Sequence, residues 1–377
     1  MRNPSRHILF LATEYDAPGM RPYARNIINT MWQAGDHVLI VTRYGIDNQA
    51  FPNIPAASIT WINYPESTWQ RALFRYFPRQ LNRSIKSIIK THGIDLAYSL
   101  TGELVLACSI GRLQRQVPLL YTVHDAVYHD YKFISPLHWL KDRLIIALPQ
   151  QSLFKHTPHK VTNSQAQLEL IGRRYPGHTV DYVPFPTLVN DKIAQGGQQV
   201  AELKDVPDGY ILFFGTVQLY KGVHLLYDAF IHHPELNARP LVVAGAGTAY
   251  FKRETADNAI FINRFMDDSE LRDLFSRATV VVYPYISATQ SGVTSIASYF
   301  GKPMVLSDLP FFKQTCHDSE GVEFFNSGDS EALAAAIGRC LQSQGSSSGL
   351  YQRVYSPEAM RSALEGVIGT ILEHSQQ

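Results

Sequence analysis

Cysteine is scarce in this 377-residue chain: Cys108, Cys316 and Cys340 are the only three. They are too few and too scattered for a disulfide framework, and no Cys-x-x-Cys pair offers zinc ligands. An excess of either charge is also missing. Thirty-four Lys and Arg stand against 33 Asp and Glu, a formal net charge of +1, which argues against a dedicated nucleic-acid binder. No uncharged apolar run approaches the ~18 residues of a membrane span, so any membrane contact is expected to be peripheral. The apolar run at the N-terminus, Ile8 to Ala12, is five residues long and is followed at once by Glu14 and Asp16. That is too short for the core of a signal peptide, so it reads as a first strand in a cytoplasmic protein. His156 with His159, and His232 with His233, lack a third ligand at metal-site spacing. Gly245-Ala246-Gly247 lacks the third glycine of a dinucleotide fingerprint.

Hydrophobic residues make up 45% of the chain, and its length gives room for about two domains, each with its own core. Short apolar runs alternate with helix-periodic segments, the pattern of βαβ units. Strands are expected at His7–Ala12, His37–Thr42, Ser58–Asn63, Leu96–Ser99, Leu119–Val123, His159–Thr162 and Thr179–Val183. A second series follows at Tyr210–Phe214, Pro240–Ala244, Ala259–Ile262, Val280–Tyr283, Met304–Ser307 and Val322–Phe324. Helices are expected between them, among others over Pro22–Ala34, Gln80–Thr91, Glu103–Arg115, Leu137–Leu153 and Gln165–Tyr175. Asp191–Gly209, with Gly196-Gly197 and Pro207-Asp208-Gly209, has the composition of a linker. A second polar stretch, Gln342–Gly349, precedes a last amphipathic segment, Ser356–His374. Two doubly wound α/β sheets of this kind place ligands at the carboxyl ends of their strands, in the crevice between the domains.

Two segments carry chemistry. Phe213-Phe214-Gly215-Thr216-Val217 runs into Tyr220-Lys221-Gly222-Val223 and then a helix, so backbone amides and one ammonium stand where a phosphate could sit. A glycine turn with a surface lysine is the plainer alternative. Further on, the strand ending at Tyr283-Pro284 leads through Ala288-Thr289-Gln290-Ser291-Gly292 to a helix starting near Val293. The first amides of that helix have no helical partner. The plainer alternative there is a Ser/Thr-capped helix without a ligand.

Gly215 through Lys221-Gly222, Val243-Ala244-Gly245-Ala246-Gly247, Ile262-Asn263-Arg264-Phe265 with Asp268-Ser269-Glu270-Leu271, Pro284, and Gly301-Lys302-Pro303 with Ser307-Asp308 match in order and spacing the C-terminal domain of family-4 glycosyltransferases. In the first half, Gly19, Gly35-Asp36-His37-Val38, Thr122-Val123-His124-Asp125 and Thr162-Asn163-Ser164 resemble the same family more weakly. The resemblance implies the GT-B fold, with two Rossmann-like domains facing a central cleft. Residues 1–187 would bind the acceptor and 188–355 the donor, and 356–377 would form a helix crossing back to the first domain. It also implies a retaining, metal-independent transfer from a nucleotide sugar, with no cofactor. By position, Lys221 would neutralise the donor diphosphate with the backbone of Ser291, Gly292, Val293 and Thr294, fixed donors that meet charge as it develops. Gly19, Gly215, Thr216 and Gln290 would complete the donor site. Asn263, Arg264 and Phe265 would flank the nucleobase, and His124 would touch the donor sugar. No Asp-x-Asp pair is present. The sequence departs from the family at Thr216, which stands for an arginine, and at Met20, which stands for a second glycine. Ala288 and Ile296 occupy the positions of two glutamates, and Gln290 and Ser295 are the nearest polar substitutes. The Gln-Ser-Gly-Val form of the loop resembles a branch of the family devoted to bacterial surface polysaccharides. The expected activity is sugar transfer to a lipid-linked or saccharide acceptor. A non-catalytic partner subunit, or an epimerase or hydrolase of nucleotide sugars, is the alternative.

Thr68 to Ile94 contains no acidic residue, while Arg71, Arg75, Arg79, Arg83, Lys86 and Lys90 recur at helical spacing. They are expected to form one basic stripe, broken near Pro78, with Trp69, Leu73, Tyr76, Phe77, Leu81 and Ile85 turned away from it. Such a face suits anionic headgroups on the cytoplasmic side of an inner membrane, or a lipid-linked pyrophosphate. A solvated helix face is the alternative. Tyr131–His156, with Phe133, Trp139, Leu140, Lys141 and Arg143, is a second candidate contact.

Overall fold

The computed structural model describes residues 6–17, 19–102, 104–124, 143–247, 250–252, 256–288, 291–343 and 345–375. The chain divides into two compact units, residues 1–186 with 360–377, and residues 187–359.

Unit one is built on β1 (Ile8–Ala12), β2 (His37–Thr42), β3 (Ile59–Asn63), β4 (Leu96–Ser99), β5 (Leu119–Thr122), β6 (His159–Thr162) and β7 (Asp181–Tyr182). They form one parallel sheet in the order β3-β2-β1-β4-β5-β6-β7. Side chains alternate between the faces of a strand, so a sheet covered on both sides needs strands that are apolar throughout. In β1, Ile8, Phe10 and Ala12 join one core layer with Tyr23, Ile27 and Met31 of helix Met20–Met31. Leu9 and Leu11 join the other, with Leu81, Ile85 and Ile88 of helix Arg79–His92. Helix Pro357–Ser375 turns Met360, Leu364, Ile368 and Ile371 into the first of these layers. Arg6 pairs with Glu365 at 3.3 Å and Arg361 donates to the Thr30 carbonyl, fastening that helix to unit one.

Unit two contains β8 (Tyr210–Phe214), β9 (Leu241–Ala244), β10 (Ala259–Ile262), β11 (Ala278–Tyr283), β12 (Met304–Ser307) and β13 (Val322–Phe325). Again all are parallel, in the order β10-β9-β8-β11-β12-β13. In both sheets the strand order reverses beside the first strand, at β1/β4 and at β8/β11. The crevice beyond the carboxyl ends of those pairs is where doubly wound sheets take ligands.

Three local expectations need correction. Asp191–Gly209 is an integral part of unit two rather than a free linker. Asn190 caps helix Asp191–Gln195 and donates to Asp268 at 2.7 Å, Val200 donates to Asp273 at 2.9 Å, and Leu203 is fully buried. Its polar side chains pair with Asp267–Arg277, which composition cannot reveal. Gln342–Gly349 is likewise anchored, since buried Ser347 donates to the Lys302 carbonyl at 2.6 Å. Glu103–Arg115 gives two short helices, Leu104–Ala107 and Ile110–Leu113, rather than one. The Ser109 hydroxyl between them bonds the Val105 carbonyl at 2.9 Å, a back-bond that bends helices. Among the described residues no helix is long and apolar enough to cross a membrane.

Candidate active site

In unit two the carboxyl ends of β8 and β11 converge on Lys221. After Phe214 the chain turns through Gly215 and the exposed Thr216, and Val217 extends the pairing by a parallel bridge to Gly247. Gly245, at φ 146°, lies so close that a Cβ there would fall 2.1 Å from the Gly215 carbonyl oxygen. A tight turn Leu219–Lys221 follows, and Gly222, at φ 66°, opens helix Val223–His232. A Cβ on Gly222 would fall 1.8 Å from the Pro284 carbonyl oxygen, so only glycine lets the two loops meet. The Ile286 amide donates to the Tyr220 carbonyl at 2.8 Å, which closes the junction.

That junction holds the Lys221 side chain, 9% exposed, with Nζ 2.6 Å from the Tyr285 hydroxyl and 4.1 Å from the centre of its ring. Among the described residues no carboxylate pairs with it. The lysine donates and the tyrosine oxygen accepts, and burial pushes the lysine's pKa down and the Tyr285 phenol's up. A cation placed here without a counter-ion is costly unless an anion joins it. Ser291, Gly292 and Thr294 are buried beside this loop and Val293 is half-buried. Helix Val293–Tyr299 begins there, and its leading amides have no helical carbonyl to bond. The Thr294 hydroxyl is engaged with the Ser291 carbonyl at 3.3 Å and the Tyr355 hydroxyl at 2.7 Å. Gln290 lies outside the described residues.

The loop after β10 is held by hydrogen bonds and ion pairs within unit two. The Asn263 side-chain oxygen accepts from the Gly247 amide at 2.9 Å, tying this loop to the one after β9. Arg264 is clamped by Glu202, at 2.7 and 2.8 Å, and by Glu270, at 2.7 and 2.8 Å. Those bonds raise its pKa, hold Glu202 down to about 2 and lower Glu270 as well. Its charge is spent inside the protein, so what it offers a ligand is loop shape. Phe265 is 82% exposed. A cavity of about 120 Å³ between Val217, Gly245, Gly247, Phe251, Phe261 and Asn263 adjoins these loops.

In unit one Gly19, at φ 79°, opens helix Met20–Met31. Thr13 after β1 meets Thr101 after β4 through their hydroxyls at 3.2 Å. His124, at the end of β5, directs Nε2 to the Leu100 carbonyl at 2.8 Å, which fixes the proton on that nitrogen, and packs edge-on against Tyr23. Gln167 donates to its carbonyl. The histidine is thus oriented by its own sheet.

Two family profiles match in tandem. One, described as a glycosyl transferase 4-like domain, covers residues 18–186, and one for glycosyl transferases group 1 covers residues 208–343. The chain belongs to the family-4 glycosyltransferases. An O-antigen chain mannosyltransferase of Escherichia coli is 23% identical over 278 residues, 67% of this chain and 69% of that protein. A sucrose-phosphate synthase of Thermosynechococcus elongatus superposes with TM-score 0.70 at 18% identity, covering 98% of this chain and 100% of its own. Anabaena HepE, in complex with UDP and glucose, gives 0.67 at 15%, covering 97% and 100%. The fold of this glycosyltransferase is GT-B.

Of the two positions where the resemblance would set glutamates, Ala288 is half-buried and Ile296 is 2% exposed and turned into the core. Ser295 does not replace them: its hydroxyl is buried, donating to the Gly292 carbonyl at 2.6 Å and accepting from the Leu188 amide at 3.0 Å. The basic stripe breaks at Pro78, where it was expected to, because helices Thr68–Tyr76 and Arg79–His92 meet there. Arg71 donates to the Pro65 carbonyl at 2.9 Å and Arg75 turns inward beneath the Tyr64 ring, whereas Arg79, Arg83, Lys86 and Lys90 are exposed. Leu81 and Ile85 are buried, whereas Trp69, Leu73, Tyr76 and Phe77 are exposed. Of the second candidate contact, Phe133, Trp139, Leu140 and Lys141 lie outside the described residues. Sequence reasoning missed Tyr285, whose only signal was its place directly after the Pro284 that ends β11.

Proposed function

We propose that this glycosyltransferase moves a hexose or related sugar from a nucleotide-sugar donor to a lipid-linked saccharide in bacterial surface-polysaccharide assembly, retaining the anomeric configuration. The observation that carries the reading is the buried, acid-free ammonium of Lys221 at the β8/β11 switch point. A departing nucleoside diphosphate supplies the two negative charges that this position lacks. Lys221 and the amides of Ser291, Gly292, Val293 and Thr294 meet that charge as the glycosidic bond breaks, which lowers the barrier electrostatically and without a metal. Gly215 and Thr216 admit the phosphates, and the loop Asn263–Phe265 with its adjoining cavity receives the base. His124 positions the donor sugar from the acceptor-binding unit, residues 1–187, and the donor's own phosphate takes the acceptor proton. The E. coli relative, named as an O-antigen chain mannosyltransferase, supports a saccharide acceptor.

The exposed Trp69, Leu73, Tyr76 and Phe77, next to exposed Arg79, Arg83 and Lys86, support peripheral binding to an anionic membrane on its cytoplasmic face. The test is transfer itself. The protein, supplied with radiolabelled nucleotide sugars, a bacterial lipid extract and EDTA, is expected to label a lipid-linked saccharide with the donor's anomeric configuration. Label released only as free sugar, or transfer that vanishes with EDTA, would count against the reading.

A further inference from the structure

Unit one holds a second basic site that the donor chemistry does not use. A cavity of about 300 Å³ opens at the carboxyl ends of β1 and β2, with Thr13, Glu14, Asp16, Arg43, Tyr64 and Arg75 in its lining. Tyr64 is buried, and two guanidiniums flank its ring, Arg43 with its carbon 4.9 Å from the ring centre and Arg75 at 5.6 Å. Two cations share one aromatic ring, and the lining also contains the carboxylates of Glu14 and Asp16. Among the described residues neither guanidinium has an ion pair or hydrogen bond, and the buried Nε of Arg75 has no acceptor. Both carboxylates of the lining have partners of their own. Asp16 accepts from Arg21 at 2.7 Å, from the Thr42 hydroxyl at 2.9 Å and from the Arg43 amide at 2.6 Å, which fixes the backbone from which Arg43 projects.

We propose that Arg43 and Arg75 form an oxyanion clamp that takes a phosphate- or carboxylate-bearing group of the acceptor. This rests on the transferase reading above, since it assigns a substrate class to the acceptor-binding unit. Arginine forks match the paired oxygens of phosphates and carboxylates, and both guanidiniums line one cavity around the Tyr64 ring. The cavity is larger than one phosphate, so it admits the sugar or second phosphate attached to the anion. It also lies at the carboxyl ends of β1 and β2, the edge of the sheet from which a doubly wound fold takes its ligand. Arg75 sits on the inner face of helix Thr68–Tyr76, whose outer face carries exposed Trp69, Leu73 and Tyr76. One helix therefore presents an apolar surface outward and a cation inward, an arrangement suited to an anionic headgroup arriving from a bilayer.

The experiment uses the full chain in a Lys221→Met background, so that the donor site does not contribute. Calorimetric titration with inorganic pyrophosphate, farnesyl pyrophosphate in detergent micelles, and glucuronate is compared with neutral glucose. At least one anion should bind and glucose should not. Affinity should fall about tenfold or more in Arg43→Ala and in Arg75→Gln. Binding of the pyrophosphates alone identifies a phosphoryl group, and binding of glucuronate identifies a carboxylated sugar; both support the clamp. No anion binding, or anion binding unchanged in both variants at matched circular dichroism, overturns it. UDP and GDP titrated into the otherwise wild-type Arg43→Ala protein should bind as they do to the parent. If they fail to bind the parent while the anion binds the clamp, the transferase reading falls and the clamp stands.

Discussion

Lys221 and Arg264 are both cations in the same unit, and their surroundings give them opposite uses. Arg264 has two carboxylates within 2.8 Å, so it is neutralised and stays a structural clasp. Among the described residues Lys221 meets a phenol oxygen and two tyrosine rings but no carboxylate, and burial weakens its hold on its proton. Both lie in motifs that resemble the family's donor site. What the sequence could not disclose was which of them had a partner, because Glu202 lies 62 positions from Arg264. His37 shows the same dependence on distant neighbours. It is 3% exposed, its ring is 4.5 Å from that of His92, and burial with that neighbour pushes its pKa down to about 4. An unfolded histidine titrates near 6.5, so the unfolded chain takes up the proton first. The stability that His37 contributes is complete above pH 6.5 and is lost as pH falls toward 4, by roughly 2–3 kcal/mol. Asp36, whose buried carboxyl is raised to about 6, acts in the opposite sense over the same range. His37→Gln is therefore expected to gain stability relative to wild type as pH drops from 6.5 to 4.5. Urea melts at both pH values check this, and a difference that stays flat with pH would refute it.

At the scale of elements, legibility followed burial. Every strand was readable, because β1, β2, β8 and β11 are apolar on both faces and no other local structure uses such runs in a covered parallel sheet. The exposure of helix Thr68–Tyr76 was not legible in the sequence. Helical periodicity separates faces but does not say which face is covered, and here the sheet takes Phe74 and Arg75 while Trp69 and Leu73 face outward. Four exposed large side chains beside a basic helix are a binding surface. Trp69→Ser with Phe77→Ser is expected to lower affinity for phosphatidylglycerol vesicles several-fold. Both residues are more than 60% exposed, so the melting temperature should hold within a few degrees. Vesicle flotation of the double variant measures this, and unchanged flotation would show that this face is not the contact.

For the whole molecule, near-neutral total charge concealed two local concentrations of positive charge. One is the buried ammonium at the end of β8, and the other is the arginine pair at the end of β2. Each stands at the carboxyl end of a strand of its own sheet, and the ammonium lies at the β8/β11 switch point. The motif order made the donor unit legible. The arginine pair was not, since Arg43 and Arg75 lie in different elements and only the packing of Tyr64 brings them together. The account depends most on Lys221 as the residue that receives a nucleoside diphosphate. Calorimetric titration of UDP, GDP, ADP and CMP into wild type and Lys221→Met tests it directly. At least one diphosphate should bind wild type, with affinity falling tenfold or more in the variant. The variant's melting temperature should be unchanged or higher, because a buried charge without a carboxylate partner has been removed. A nucleotide that binds both proteins equally, or none that binds wild type, would contradict the account.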